Sequence, residues 1–282
     1  MVIFEAYLVE SGHPQDPNLK VFSVAGFIAP CDLWKRWELD WRYILSVYEI
    51  EPAQFHMKDY VHSNGAFASW KGKESKRRAF LSELLRTFNP LFVPIGSSVV
   101  LEDYGKLSSA HKEMIGDEYE LCFKYVLLEC VDQALHCPEG ETVSIIFADQ
   151  KESGGHADAA WRHWRERNPD IASRVDSVTW VTKKDNFIPL LGADLIAYEL
   201  REFVEDWYYK EPSQRRNRYP MQWLLRWLNN AGGTFNKTAL ERLALKLDEA
   251  QHSRGTAKIK KPRRQSGLER LSPTRRRKNR EK

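Results

Sequence analysis

The chain opens on two runs of β-branched and aromatic residues, 2–9 (VIFEAYLV) and 19–28 (LKVFSVAGFI), separated by Ser11-Gly12 and by Pro14, Asp16 and Pro17. Runs of this kind bounded by turn formers predict a hairpin-like pair of strands. The period then changes: Leu33, Trp37, Trp41, Ile44, Leu45 and Tyr48 recur at helical spacing after Pro30 and Asp32. That spacing predicts a helix with Asp32 as N-cap and a tryptophan stripe turned to the core. A second helix is expected over 76–88, ended by Asn89-Pro90, and a strand over 92–101.

From residue 117 helices and strands alternate: helix 117–136, strand 143–149, helix 157–167, strand 176–182 and helix 192–207. Alternation favours a largely parallel sheet covered by helices. Helices near 220–229 and 237–250 close the folded part. A hairpin leading into such units is the order of an α/β, ribonuclease H-like mixed sheet flanked by helices. The expected organisation is a domain over 1–210, a helical extension over 211–251 packed on it, and a basic, disordered tail over 252–282. In that topology the strand over 2–9 runs parallel beside the strand over 143–149. Their carboxyl ends then open onto a common crevice, where open α/β sheets bind ligands.

Polar residues at those ends are the candidates for chemistry. Glu10 follows the first strand in VESG, Asp149 ends the strand IIFAD, and Asp194 opens the last major helix in LLGADLIAYE. Three converging carboxylates are what a phosphodiester-cleaving site needs to hold Mg²⁺ or Mn²⁺, which polarises the phosphate and lowers the pKa of an attacking water. Each carboxylate alone also reads as a turn former or helix cap. Strict alternation places Glu5 with Val9 on one face of the strand and Glu10 on the other. The segment FHMKDY sets His56, Lys58 and Asp59 in a predicted loop, where His56 can transfer a proton, Lys58 can meet a phosphate and Asp59 can orient either. Ser11, Lys58 and Asp59 are read as supports around the carboxylates. Gly154-Gly155 is a turn signal before a helix.

Composition then narrows the setting. With 42% hydrophobic residues and 12% aromatic, the 282-residue chain holds enough apolar surface for a full core. No run approaches the roughly 18–20 apolar residues of a membrane span, and the first residues lack the features of a secretory signal, so a cytoplasmic protein without membrane contact is expected. Cys31, Cys122, Cys130 and Cys137 show no metal-binding or disulfide spacing and read as reduced thiols.

Charge separates the tail from the body. Residues 252–282 hold 13 Lys and Arg against two Glu, a charge of +11; the other 251 residues hold 30 basic against 37 acidic side chains, a charge of −7. The clusters carrying Lys260, Lys261, Arg263 and Arg264, and Arg275, Arg276, Arg277 and Lys278, can neutralise phosphates without reading sequence. The tail has no aromatic residue, so stacking on single-stranded bases is not its mechanism. Nucleic acid is the expected partner.

Four segments taken together resemble the domain of unknown function 3800 family. Its usual landmarks are a D-E-S-G after the first strand, a hydrophobic-His segment, a hydrophobic strand ending in Asp, and a late L-Q-x-A-D-L helix start. Here they stand as Val9-Glu10-Ser11-Gly12, Phe55-His56, Ile145-Ile146-Phe147-Ala148-Asp149 and Leu190-Leu191-Gly192-Ala193-Asp194-Leu195. The resemblance spans residues 3 to about 205 and implies a ribonuclease H-like fold with metal-dependent nuclease activity. Val9 replaces the family's leading Asp and Leu191 its Gln. Two functions follow: a metal-dependent nuclease with Glu10, Asp149 and Asp194 on the ions and His56 assisting, or a non-catalytic nucleic-acid-binding or assembly module on a degenerate site.

Overall fold

The computed structural model describes residues 4–13, 16–135, 142–149, 154–182, 187–225 and 232–259. All eight tail residues named above, Lys260 to Lys278, lie outside the described residues, as does Cys137. In chain order the elements are β1 (Phe4–Ser11), β2 (Val21–Pro30), α1 (Cys31–Val47), α2 (Met57–His62), α3 (Glu74–Arg86), β3 (Val93–Val100), α4 (Leu101–Gly105), α5 (Ser109–Ile115), α6 (Glu118–Leu135), β4 (Val143–Asp149), α7 (Gly154–Arg167), α8 (Pro169–Ala172), β5 (Val175–Thr182), α9 (Ile188–Tyr209), α10 (Tyr219–Leu225), β6 (Gly232–Phe235) and α11 (Lys237–Ile259).

These strands form one six-stranded mixed sheet in the order β5-β4-β1-β2-β3-β6. β1, β2 and β3 are antiparallel neighbours, whereas β4 joins β1, β5 joins β4 and β6 joins β3 in parallel. The β1–β2 turn needs glycine at its entry: Gly12 has φ +108°, and a Cβ there would stand 2.8 Å from the Leu19 side chain. Gly26 is needed for a different reason, because a Cβ at that point of β2 would lie 1.7 Å from the Tyr7 carbonyl oxygen of β1.

Side-chain alternation gives the sheet two apolar faces. On one, Tyr7, Val9, Ala25, Phe27 and Ala29 merge with α1, α3 and α9 into a single buried cluster. The tryptophan stripe of α1 dominates it: Trp34, Trp37 and Trp41 are each at most 2% exposed, and Trp37 meets Trp34, Trp41, Phe88 and Phe92 ring to ring. The other face packs on α6, with Tyr119 against Phe22 and Phe123 against Phe147. Cys122 and Cys130 on α6 are buried free thiols; burial pushes Cys122 up to about 12 and Cys130 higher, so both stay protonated. Among the described residues no helix is long and apolar enough to cross a membrane.

Several expectations are corrected. Pro30, not Asp32, is the N-cap of α1, and Asp32 lies in the first turn, where its charge favours the helix dipole. FHMKDY is not a loop: His56 is the N-cap of α2, which contains Lys58 and Asp59. Asp194 does not open its helix, because α9 begins at Ile188 with Pro189 in its first turn. The strand β6 falls where only helices were expected. By internal contacts the chain divides into a unit over Met1–Arg242 and a second over Leu243–Lys282, which takes in most of α11.

Candidate functional site

Because β1 and β4 are parallel, their carboxyl ends lie at the same edge of the sheet. Register pairs Leu8 with Phe147, which sets Asp149 level with Glu10 along the ladder. Beside this edge opens a cavity of about 330 Å³ lined by Glu10, Ser11, Gly12, His13, Asp16, Leu19, His56, Lys58, Asp59, Asp194, Tyr198 and Arg201. Six of the residues proposed from sequence, Glu10, Ser11, His56, Lys58, Asp59 and Asp194, therefore share one wall system although they span almost two hundred positions. The Asp149 backbone ends β4, paired with Thr182 of β5; its side chain is not among those described.

Each element delivers its group for a local reason. Glu10 is the last but one residue of β1 and only 8% exposed, an unusual place for a carboxylate unless its surroundings use the charge. Its neighbour Val9 is 0% exposed and belongs to the apolar cluster that also holds Ala193 and Ala197 of α9. Alternation thus sends Val9 toward α9. Glu10 reaches the cavity because the cavity lies at the strand end, where α9, α2 and the β1–β2 turn close around it.

Asp194 is half-buried one and a half turns into α9, and its Oδ2 accepts the Met57 backbone N–H at 2.8 Å. Met57 is the first residue of α2, so Asp194 caps that short helix from another part of the chain. A six-residue helix has too few internal bonds to persist alone. The contact fixes the position of α2 and with it His56, Lys58 and Asp59. The Lys58 ammonium is exposed and has no hydrogen-bond or ion-pair partner among the described residues.

Tyr198 and Arg201 were not singled out in the sequence. The signal was present: they stand four and seven residues after Asp194, on the same face of one helix. His13 and Asp16 complete the rim from the β1–β2 turn, where Asp16 Oδ1 accepts the Asn18 backbone N–H at 2.9 Å. Next to the cavity, and sharing His56 and Asp194 with it, a recess of about 20 Å³ is lined by Pro52, Ala53, Phe55, Phe187, Leu190 and Leu191.

A second set of charges on α9 is of another kind. Buried Glu199 accepts two hydrogen bonds from Arg218, at 2.8 and 2.9 Å. Glu202 and Asp206 both bind Arg216, and Asp206 also binds Lys210 at 2.6 Å. Burial pushes the Asp206 carboxyl up, but hydrogen bonds from Arg216 and Lys210 outweigh it and hold it at about 2. Burial raises Glu199 above the usual carboxylate range even with Arg218 beside it.

The donor set of the cavity suits a hard cation such as Mg²⁺ or Mn²⁺, which takes carboxylate oxygens and water. Among the described residues no three His, Cys, Asp or Glu side chains group as an ion cage. A three-carboxylate cage at this edge therefore needs Asp149 in addition to Glu10 and Asp194. No protein-family model matches the chain, and no curated protein matches it.

Proposed function

We propose that the protein is a metal-dependent phosphodiesterase acting on nucleic acid. The observation that carries this reading is the single cavity at the carboxyl end of β1, where Glu10, Asp194, His56 and Lys58 meet at the edge that Asp149 also reaches. In this reading Glu10, Asp149 and Asp194 hold Mg²⁺ or Mn²⁺, which would supply a polarised phosphate and an activated water. His56 transfers the leaving-group proton, Lys58 meets a phosphate oxygen, and Ser11 and Asp59 orient their neighbours. The antiparallel β1–β2–β3 block with parallel β4 and β5 beside it agrees with a ribonuclease H-like sheet, and the four segments similar to the domain of unknown function 3800 family point the same way. The +11 charge over 252–282 would draw a polyanion to a body that carries −7.

Cleavage of short labelled DNA and RNA by the full chain in Mn²⁺, under single-turnover conditions, tests the reading. Asp149→Ala should slow it by at least about 100-fold, more than the loss of a residue that merely supports a ligand. Undiminished cleavage by that variant would remove Asp149 from the site.

Val9 favours a second reading, a non-catalytic nucleic-acid-binding module. It fills with an aliphatic side chain, 0% exposed, the position where the resembling family carries Asp. Mn²⁺ affinity that is negligible in the parent and gained in Val9→Asp would mark a degenerate site, whereas tight binding in the parent supports the enzyme.

A further inference from the structure

Arg201 reaches the cavity on the same face of α9 as Asp194 and Tyr198, and its place there is over-determined. Its Nε donates to Ser11 Oγ at 3.2 Å, and its Nη2 to Glu202 Oε1 at 2.5 Å. Nη1 stands 3.5 Å from Glu205 Oε2, and the Tyr198 ring centre lies 5.4 Å from the guanidinium carbon. The carboxylate behind it is fixed in turn. Glu202 also accepts from Arg216 at 2.6 Å and from Arg218 at 3.5 Å, and Arg218 is anchored on buried Glu199. Burial alone would raise the Glu202 carboxyl, yet the charge of Arg201 first, then the bond from Arg216, bring it below the usual range, so the support is ionised at neutral pH.

A guanidinium has five N–H donors in a rigid fork, and these contacts account for three. Among the described residues two donors remain without a partner on a side chain that is 16% exposed at the wall of a cavity. The bond to Ser11, which lines the same cavity at the end of β1, sets the guanidinium on that wall. Carboxylates facing the same space repel an anion, so an anionic ligand requires a fixed cation next to them as well as any metal.

We propose that Arg201 binds the anionic phosphoryl group of the substrate, with Glu202 holding it in place and Lys58 serving as a second, mobile cation in the same cavity. This assignment rests on the phosphodiester reading of the site. It extends that reading by naming the charged phosphate, rather than the sugar or base, as what the α9 wall recognises.

The test compares equilibrium affinities of the full chain, in Ca²⁺, for dithymidine monophosphate and for its uncharged methylphosphonate analogue, with inorganic pyrophosphate titrated in parallel. Wild type should prefer the charged dinucleotide by about tenfold or more, as a charge-assisted hydrogen bond implies. Arg201→Gln should cut that preference about tenfold, leaving what Lys58 and Ca²⁺ supply, and Arg201→Lys should keep more of it, with each variant's thermal unfolding confirming the fold. A preference undiminished in Arg201→Gln, or an equal loss for both dinucleotides, overturns the assignment. Should wild type bind neither dinucleotide, the phosphodiester reading falls and pyrophosphate decides Arg201: tenfold weaker binding by Arg201→Gln retains an anion site, and unchanged binding removes it.

Discussion

Helix α9 carries two stripes of polar residues that differ in what they do with charge. Asp194, Tyr198 and Arg201, spaced four and three residues apart, line an open cavity. Glu199, Glu202 and Asp206, spaced three and four apart on the adjoining face, are closed against Arg218, Arg216 and Lys210. Both stripes are invisible to composition alone, and both place carboxylates in an apolar helix. The difference is that the carboxylates of the second stripe are all taken up by basic side chains, Arg201 of the first stripe among them, so they have nothing left to offer a ligand. The first shares its cavity with Lys58, which has no hydrogen-bond or ion-pair partner among the described residues. A cluster of shifted carboxylates is therefore a poor guide to a site here: the most perturbed ones are structural.

Breaking the closed stripe should have the largest effect on stability. Arg218→Ala leaves Glu199, 2% exposed, without its two hydrogen bonds, at a cost of about 3–5 kcal/mol. Thermal unfolding should show a fall of roughly 10 °C. A Tm within a degree or two of the parent would show that Glu199 is neutral or finds another partner.

The open stripe should respond the other way. Asp194→Asn is expected to lower phosphodiester cleavage by about 100-fold, or nearly 3 kcal/mol of barrier, while costing only about 1 kcal/mol in unfolding for the weakened cap on Met57. A large loss of stability with full activity would exchange the roles of the two stripes.

The acid limb of stability should belong to the closed stripe as well. Asp206 is held at about 2 in the folded protein against an ordinary value of 3.8, so its contribution is fully present above about pH 4 and disappears as pH falls toward 2. That contribution is roughly 2 kcal/mol. Glu199, raised by burial, has the opposite sign and offsets part of it. Denaturant unfolding from pH 6 to pH 2 should show the parent losing this stability and Asp206→Asn losing less of it. Parallel profiles would remove Asp206 from the acid response.

The smallest change is expected from the tail. Removing residues 260–282 spares α11 and should flatten the dependence of log affinity for nucleic acid on log salt, as phosphate contacts and their released counterions are lost. The same slope with and without the tail would assign the contacts to the folded body.

How much of this was readable in the chain depends on the length over which a pattern repeats. The α1 tryptophans and the β1, β2 and β4 runs repeat often enough to fix element type, and the parallel placement of β1 beside β4 follows from the alternation of helices and strands. α2 has only six residues and is capped from Asp194, 137 positions away, so no local pattern announces it. β6 is four residues long with two glycines, and joins the sheet through β3 rather than through any strand tendency of its own. Asp194 in LLGADL reads as a helix start, whereas Pro189, a first-turn signal five residues earlier, marks the start of α9. For the cavity, Glu10, His56 and Asp194 were legible as strand-end and segment landmarks. Tyr198 and Arg201 required reading the helix period outward from Asp194, and the partners Arg216 and Arg218 come from the chain after α9, where no periodicity points back to Glu199 or Glu202.

The most direct measurement of the central claim is a calorimetric Mn²⁺ titration of the full chain beside Asp149→Ala and Asp194→Asn. A site built from Glu10, Asp149 and Asp194 predicts saturable binding in the parent and at least about tenfold weaker binding in each variant, with the unfolding midpoint of Asp149→Ala unchanged in the absence of metal. Equal Mn²⁺ affinity in all three proteins, or none in the parent, would contradict it.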